Sequence, residues 1–378
     1  MAALSGGHTF TDMGQGAIPA MLPFLIAGRG YSYAAASALV LAATVSSSIV
    51  QPIFGAASDR RSLPWLMPGG LALTGVGLAL SGVAPSYPLT FAAIVLSGLG
   101  VAAFHPEASR FANYVSGARR ATGMSLFSVG GNAGFALGPI IVTPLILLLG
   151  LPGMIVAGLL PVAMALVLMR ELPRLQTFRP AVVAAGPGVP GPAPDEWGPF
   201  ARLAAAVGVR SVVYFGLATF VPLYFVDELG ASTADANTAL AVMLVAGAVG
   251  TLLGGRLADR VGRRPVFAGS TLLLCPLILA FLAVDRAPAV ALLAVIGALI
   301  IATFSVTVVM GQEYLPNRIG VASGVTLGLA IGVGGLGAAA LGVVADRAGL
   351  DTAMQVIAFT PLLAAALALS LPRARSTP

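Results

Sequence analysis

The chain has 378 residues, of which 58% are apolar and only 9% charged, and its mean hydropathy is +0.96. Twenty basic and 14 acidic side chains cannot cover the surface of a 37.8 kDa soluble globule, so a soluble enzyme is excluded; the apolar fraction equally excludes a disordered chain. The net charge of +6 does not form a nucleic-acid face, because the basic residues are all Arg and are scattered through short loops between apolar runs. What remains is a polytopic membrane protein. At about 20 residues per crossing, twelve helices use roughly 240 residues and leave the rest for loops.

Pro, Gly and charge clusters cut the chain into twelve apolar segments, predicted as spanning helices at about 8–27, 33–57, 65–84, 88–112, 121–148, 150–169, 200–226, 235–257, 265–283, 288–312, 320–344 and 351–370. The first carries His8 and Asp12, four residues apart and so on one helical face. With Arg29 marking the outer end, Asp12 lies about 25 Å along the helix, in its cytoplasmic half. An ionised side chain at the centre of a span costs about 2.5–3.5 kcal/mol or more and is a functional candidate by default. Asp12 is therefore read as a proton-coupling group and His8 as a substrate contact, with capping of a helix that starts at residue 13 as the plain alternative for Asp12.

The second segment ends in Gly55-Ala-Ala-Ser-Asp59-Arg60-Arg61. The fourth contains Phe104-His105-Pro106-Glu107-Ala108-Ser109-Arg110, where Glu107 and Arg110 are three apart and can pair on one face. Pro106 frees a backbone carbonyl and bends the helix, which suits a lining element. Protonation of Glu107 would release Arg110 to hold an anionic substrate; the alternative is a static ion pair tying this helix to its neighbours. His105 is read with Glu107 as proton-coupling. In the fifth segment, Asn132 is a candidate substrate hydrogen-bonder, and the small residues of Gly134-Phe-Ala-Leu-Gly138-Pro139 let helices approach closely and slide. Phe104, Phe127, Phe135 and Tyr224 are read as core or lipid-facing.

Residues 170–199 contain GPGVPGPAPDEWGP and cannot span; they are predicted as a cytoplasmic linker between six-helix bundles at 1–169 and 200–378. Arg210 stands isolated in the seventh segment with Tyr214 at i+4. Either it snorkels to the inner interface, or it offers a fixed positive charge to a substrate beside the Tyr214 hydroxyl. The eighth segment ends in Gly255-Arg-Leu-Ala-Asp259-Arg260-Val-Gly262-Arg263-Arg264, which repeats G-x-x-x-D-R at an offset of 200 residues from Gly55. A parallel repeat of this kind is how one half duplicates around an axis along the membrane normal. Gln312 and Glu313 in the tenth segment are either second-half counterparts of Asn132 or interfacial polar groups. A third hexapeptide, Gly342-Val-Val-Ala-Asp346-Arg347, recurs in a different place.

With both termini inside, the inner loops and tail collect fourteen Arg: 60, 61, 119, 120, 170, 174, 179, 256, 260, 263, 264, 318, 373 and 375. The outer loops hold only Arg29, Arg286 and Arg347, a strong positive-inside bias. Cys275 is the single cysteine, which excludes a disulfide framework or a cysteine metal cluster. No positive n-region precedes the first span, so no cleavable signal peptide is expected.

On its paired G-x-x-x-D-R loops, the second continuing through Gly262-Arg263-Arg264, the sequence resembles the major facilitator superfamily. The first copy departs after Arg61, where Ser62-Leu63-Pro64-Trp65 stand in place of the usual glycine and basic pair. The resemblance implies twelve transmembrane helices in two pseudo-symmetric six-helix bundles, an all-α polytopic fold. It also implies gating roles for Gly55, Asp59, Arg60, Gly255, Asp259, Arg260, Arg263 and Arg264, through contacts that hold one end-state and break in the other. A plain cytoplasmic border accounts equally well for Arg263 and Arg264. Gly134, Gly138 and Pro139 resemble the core of the superfamily's antiporter motif. His8-Thr-Phe-Thr-Asp12, residues 104–110, Gln51-Pro52 and Val129–Gly134 look like the fosmidomycin resistance branch, most densely over residues 8–139. That likeness implies proton-driven export of a small phosphonate antibiotic or similar drug.

The expected function is thus secondary active transport by alternating access, with proton-coupled import of a small organic anion or sugar-like metabolite as the alternative. An enzyme is not expected: H-E-x-x-H and G-x-S-x-G are absent, and a chain without lysine holds no Walker-type ATP site. The expected partners are a small-molecule substrate, protons and the lipid bilayer, with no nucleic acid, cofactor or metal and with a proton gradient as the energy source. A monomer in the bacterial inner membrane, both termini cytoplasmic, completes the reading.

Overall fold

The computed structural model describes residues 1–60, 62–117, 120–178 and 194–372; the side chains of residues 56, 58–60, 120–122, 319, 320 and 327 are outside that description. All regular structure among the described residues is helical: α1 (Ala2–Arg29), α2 (Tyr33–Arg60), α3 (Leu66–Val83), α4 (Tyr87–Ser116), α5 (Arg120–Leu149), α6 (Gly153–Leu175), α7 (Trp197–Asp227), α8 (Thr233–Val261), α9 (Arg263–Leu282), α10 (Arg286–Ala302), α11 (Phe304–Tyr314), α12 (Ile319–Ser323), a π-helical stretch Gly324–Leu329, α13 (Ala330–Ala348) and α14 (Leu350–Leu369). Inside a bilayer every backbone polar group must be satisfied within the protein, and helices do this segment by segment.

Among the described residues, eleven segments from Tyr33 to Leu369 are long and apolar enough to cross a membrane. Helix α1 is as long as α2, at 28 residues, but Ser5, His8, Thr9, Thr11, Asp12 and Gln15 make its first half more polar. Two crossings are not single α-helices. Counted with α1 as the first, the tenth is broken at Thr303 between α10 and α11, and the eleventh passes through the π-helical stretch between α12 and α13. Helix α1 begins at Ala2, so Asp12 lies inside it and caps nothing, which removes the capping alternative. Helix α6 runs on to Leu175 and α7 begins at Trp197; residues 179–193 of the expected linker lie outside the described residues.

The chain divides into two compact units. The first comprises residues 1–21 and 42–191, the second residues 22–41 and 192–378. In the first unit, Leu4, Met67, Leu71, Phe104, Phe111 and Leu168 form a buried core. Helix α1 lies on a glycine face of α5: a Cβ at Gly134 would stand 2.2 Å from the Thr9 carbonyl oxygen, and one at Gly138 2.3 Å from the Gly16 carbonyl carbon. No other residue allows that approach, which explains the Gly134/Gly138 pattern as helix packing.

In the second unit, α7 packs against α13 and α14, and α8 against α10. Its core includes Leu203, Phe267 and Met310. Here the third hexapeptide finds its use. The Asp346 carboxylate accepts the backbone N–H groups of Tyr33 (2.8 Å) and Ala34 (3.0 Å), while Ser32 Oγ accepts that of Ala35 (3.2 Å). The first donors of α2 are thus satisfied by a residue 313 positions away, with a negative charge at the positive end of the helix dipole. Gly342 makes room one turn earlier, where a Cβ would meet Ser37 Oγ at 2.0 Å. The Tyr33 hydroxyl adds a 2.7 Å bond to Asp227.

Candidate functional site

Three ionisable side chains of the first unit meet between α1 and α4. His8 Nε2 is 3.2 Å from Asp12 Oδ2, and His105 Nε2 is 3.2 Å from Asp12 Oδ1. The two imidazole Nε2 atoms are themselves 3.2 Å apart. His8 and Asp12 are buried and His105 is half-buried, and the His8 ring stacks on Phe127 with centroids 4.2 Å apart. The i,i+4 spacing on α1 aligns His8 with Asp12, and α4 brings His105 from 97 positions away.

The other ring nitrogens decide the chemistry. His8 Nδ1 lies 2.7 Å from the Phe127 carbonyl oxygen and His105 Nδ1 2.8 Å from that of Val101. A carbonyl only accepts, so each Nδ1 carries a hydrogen and each neutral ring presents a bare Nε2 lone pair to the cluster. Two lone pairs then face each other and a carboxylate, with every contact repulsive. One proton relieves part of this repulsion; two let each imidazolium donate to its own Asp12 oxygen. The arrangement favours a cation among the three side chains, and both imidazole Nε2 atoms with the Asp12 carboxylate could ligate a metal ion. Spacing in the sequence paired His8 with Asp12 but assigned the two histidines to different tasks; the structure joins them in one site.

Glu107, two residues beyond His105 on α4, is fully buried. Its Oε1 accepts from Arg110 Nη2 at 2.6 Å and from the backbone N–H of Leu63 at 2.8 Å, and Arg110 Nη2 also donates to Ser62 Oγ at 2.8 Å. The Ser62-Leu63 stretch, where the first loop departs from the repeat, is therefore the docking partner of this pair. Among the described residues Glu107 shares no hydrogen bond or ion pair with the His8–Asp12–His105 triangle. Arg110 also borders a cavity of about 360 Å³ with Gly55, Pro106, Asn113 and Tyr114, so its guanidinium is both paired and reachable. Asn132 is half-buried on α5, next to Gly131, whose Cβ would stand 2.5 Å from His8 Nε2.

In the second unit Arg210 is 4% exposed, too deep for a snorkelling residue, whereas Arg202 two turns earlier reaches the Ser370 carbonyl at the end of α14. Arg210 Nη1 donates to Thr303 Oγ1 at 3.0 Å, and the guanidinium carbon sits 5.5 Å from the Phe304 ring centroid. No carboxylate lies within ion-pair reach of it among the described residues. Its hydroxyl partner, Thr303, is the residue at which the helix breaks between α10 and α11. Tyr214, one turn along α7, is half-buried.

The expected gating residues divide. Gly55 stands beside Pro106 of α4. The side chains of Asp59 and Arg60 lie outside the described residues. At the end of α8, Gly255 has open space beside its Cα, and Asp259 and Arg260 are exposed with no ion pair among the described residues. Arg263 pairs with Glu313 of α11, and Arg264 donates to the Leu369 carbonyl of α14. The basic pair therefore ties the start of α9 to two helix ends of its own unit. Pro139 is buried inside α5 with Gly138.

The family model described as Major Facilitator Superfamily matches residues 4–337. The uncharacterized MFS-type transporter YfnC of Bacillus subtilis (strain 168) is 34% identical over 363 residues, 94% of this chain and 88% of its own length. The fosmidomycin resistance protein of Escherichia coli (strain K12) is 32% identical over 372 residues, covering 96% and 90%. Among solved structures, the nucleoside transporter NupG superposes with a TM-score of 0.78 at 13% identity, over 98% of this chain and 99% of that one. A bacterial homologue of the human lysosomal transporter Spinster, inward-facing and occupied, gives 0.77 at 17% identity over 97% and 95%.

Proposed function

From the premise that the chain belongs to the Major Facilitator Superfamily, and is a multi-pass membrane transporter and not an enzyme, we propose that it exports a small anionic drug in exchange for protons by alternating access. The observation that carries this reading is the His8–Asp12–His105 triangle, three converging acceptors that need a cation between them. In an antiporter the cation is the proton, taken up at Asp12 and its two imidazoles and released as access alternates. Arg210, a buried cation with a hydroxyl partner and no ion-paired acid among the described residues, is the substrate-anchoring charge of the second unit, with Tyr214 as a neighbouring donor. Arg110 and Asn132 supply further contacts in the first. A relative named for resistance to a phosphonate antibiotic supports that substrate class.

The proposal further has both termini in the cytoplasm of a bacterial inner membrane, a reading the positive-inside bias supports, and a transporter that acts as a monomer without a cofactor. Fosmidomycin accumulation in inverted membrane vesicles tests the reading, with and without a collapsed pH gradient. Uptake that disappears on collapse is the expected result. Gradient-driven accumulation in intact cells, with none in inverted vesicles, would make the protein an importer of small anions.

A further inference from the structure

We propose that the His8–Asp12–His105 triangle also binds one divalent transition-metal ion, with both imidazole Nε2 atoms and the Asp12 carboxylate as ligands. The three Nε2 and carboxylate contacts are each 3.2 Å. In a four-coordinate site with bonds of about 2.0–2.1 Å, ligand atoms stand about 3.3 Å apart. The two imidazoles are therefore already spaced as adjacent ligands, and a different Asp12 oxygen stands 3.2 Å from each, so one oxygen or both can complete the face of a metal coordination shell. Two imidazoles and one carboxylate form the donor set of open zinc sites, which keep a further position for water. They also discriminate against Mg²⁺ and Ca²⁺, which favour all-oxygen shells.

The surroundings agree with this assignment. Each ligating imidazole is held through its Nδ1 hydrogen by a main-chain carbonyl, Phe127 for His8 and Val101 for His105, which is the outer-shell arrangement that orients metal-binding histidines. Beside the ligands, Gly131 leaves space that a side chain would fill: its Cβ would lie 2.5 Å from His8 Nε2 and 2.7 Å from Asp12 Oδ2. A divalent ion next to the single carboxylate leaves the same net charge as the two protons that satisfy the cluster, so the enclosure tolerates either. The chain contains only two histidines, both in this site, and its one cysteine, Cys275, lies in α9 of the other unit. Histidine-dependent metal binding has nowhere else to occur.

The test uses the purified full-length chain without a polyhistidine tag, titrated with Zn²⁺ by calorimetry and with Co²⁺ by visible absorption. The expected result is saturation at one ion per chain and d–d bands of low-coordinate Co²⁺. Changes to outer-shell partners alone weaken metal sites by about ten- to a hundredfold, so His105→Gln and Asp12→Asn are expected to weaken binding at least as much, and Cys275→Ser not at all. Absence of saturable binding, or unchanged affinity in His105→Gln, overturns the proposal. X-ray absorption of the zinc-loaded wild type needs no variant: imidazole scattering is expected, and an all-oxygen shell refutes the site. Metal binding stands on this geometry alone, whereas inhibition of transport by Zn²⁺ rests on the proton-coupling reading. Histidine-dependent binding that leaves gradient-driven transport intact would uphold the metal site and defeat that reading.

Discussion

The two units bury opposite charges at corresponding places. In the first, α1 and α4 enclose a carboxylate between two imidazoles; in the second, α7 and the α10–α11 break enclose a guanidinium beside a hydroxyl and an aromatic ring. The 200-residue offset between Gly55 and Gly255 carries His8 and Asp12 to positions on either side of Arg210, and His105 to the residue after Phe304. Duplication accounts for the shared helical frame. Divergence at these positions leaves an acid between two histidines in one unit and a buried Arg beside a hydroxyl in the other, the division that the proposed exchange of protons for an anionic drug would use.

The sharpest way to break this comparison is Asp12→Asn. It removes the only carboxylate of the triangle, and gradient-driven uptake in inverted vesicles is expected to fall to the level seen with a collapsed gradient. Full coupling in this variant would move the cation site elsewhere. Glu107→Ala asks whether the other acid buried among the described residues of the first unit is structural. Breaking a buried pair costs about 3–5 kcal/mol, so a large drop in the thermal unfolding midpoint is expected, with the gradient dependence of any remaining transport unchanged. Altered gradient dependence would make Glu107 a second coupling group.

In the second unit, Arg210→Gln is expected to lower affinity for an anionic substrate by about ten- to a hundredfold, from about 1.5–3 kcal/mol of lost charge-assisted hydrogen bonding. Its unfolding midpoint should hold or rise, because a buried charge with no ion-pair partner among the described residues is removed. Unchanged affinity with a lower midpoint would make Arg210 a structural residue and dissolve the contrast. Asp346→Ala has the smallest expected effect: loss of a helix cap costs about 1 kcal/mol, read as faster hydrogen exchange at Tyr33 and Ala34. Unaltered exchange would mean that Ser32 caps α2 unaided.

Much of the site was legible because ionisable residues in apolar segments are expensive and therefore few. His8, Asp12, His105, Glu107, Arg110 and Arg210 all stand out on that ground. Their partners did not stand out. The carbonyls of Phe127 and Val101 and the N–H of Leu63 are backbone groups, which leave no mark in side-chain chemistry. The departure at Ser62-Leu63 was visible as a broken repeat, but its purpose emerges only when Glu107 is seen docked there. Gly342-Val-Val-Ala-Asp346 looked like a motif out of place, and it is one: its aspartate caps a helix 313 positions away.

By itself the sequence determined the membrane environment, the helical class and the twofold repetition. Apolar runs of spanning length, with loops rich in Arg, leave the backbone only helical ways to satisfy its hydrogen bonds in lipid. Tertiary structure alone decided which polar groups share a site. Helical periodicity reaches about one turn in either direction, enough to join His8 to Asp12 and Glu107 to Arg110. It cannot bring His105 to His8 across 97 residues, nor Thr303 to Arg210 across 93. Those meetings depend on which helix faces pack, and packing is set by residues as featureless in sequence as Gly134 and Gly138, whose missing side chains let α1 rest against α5.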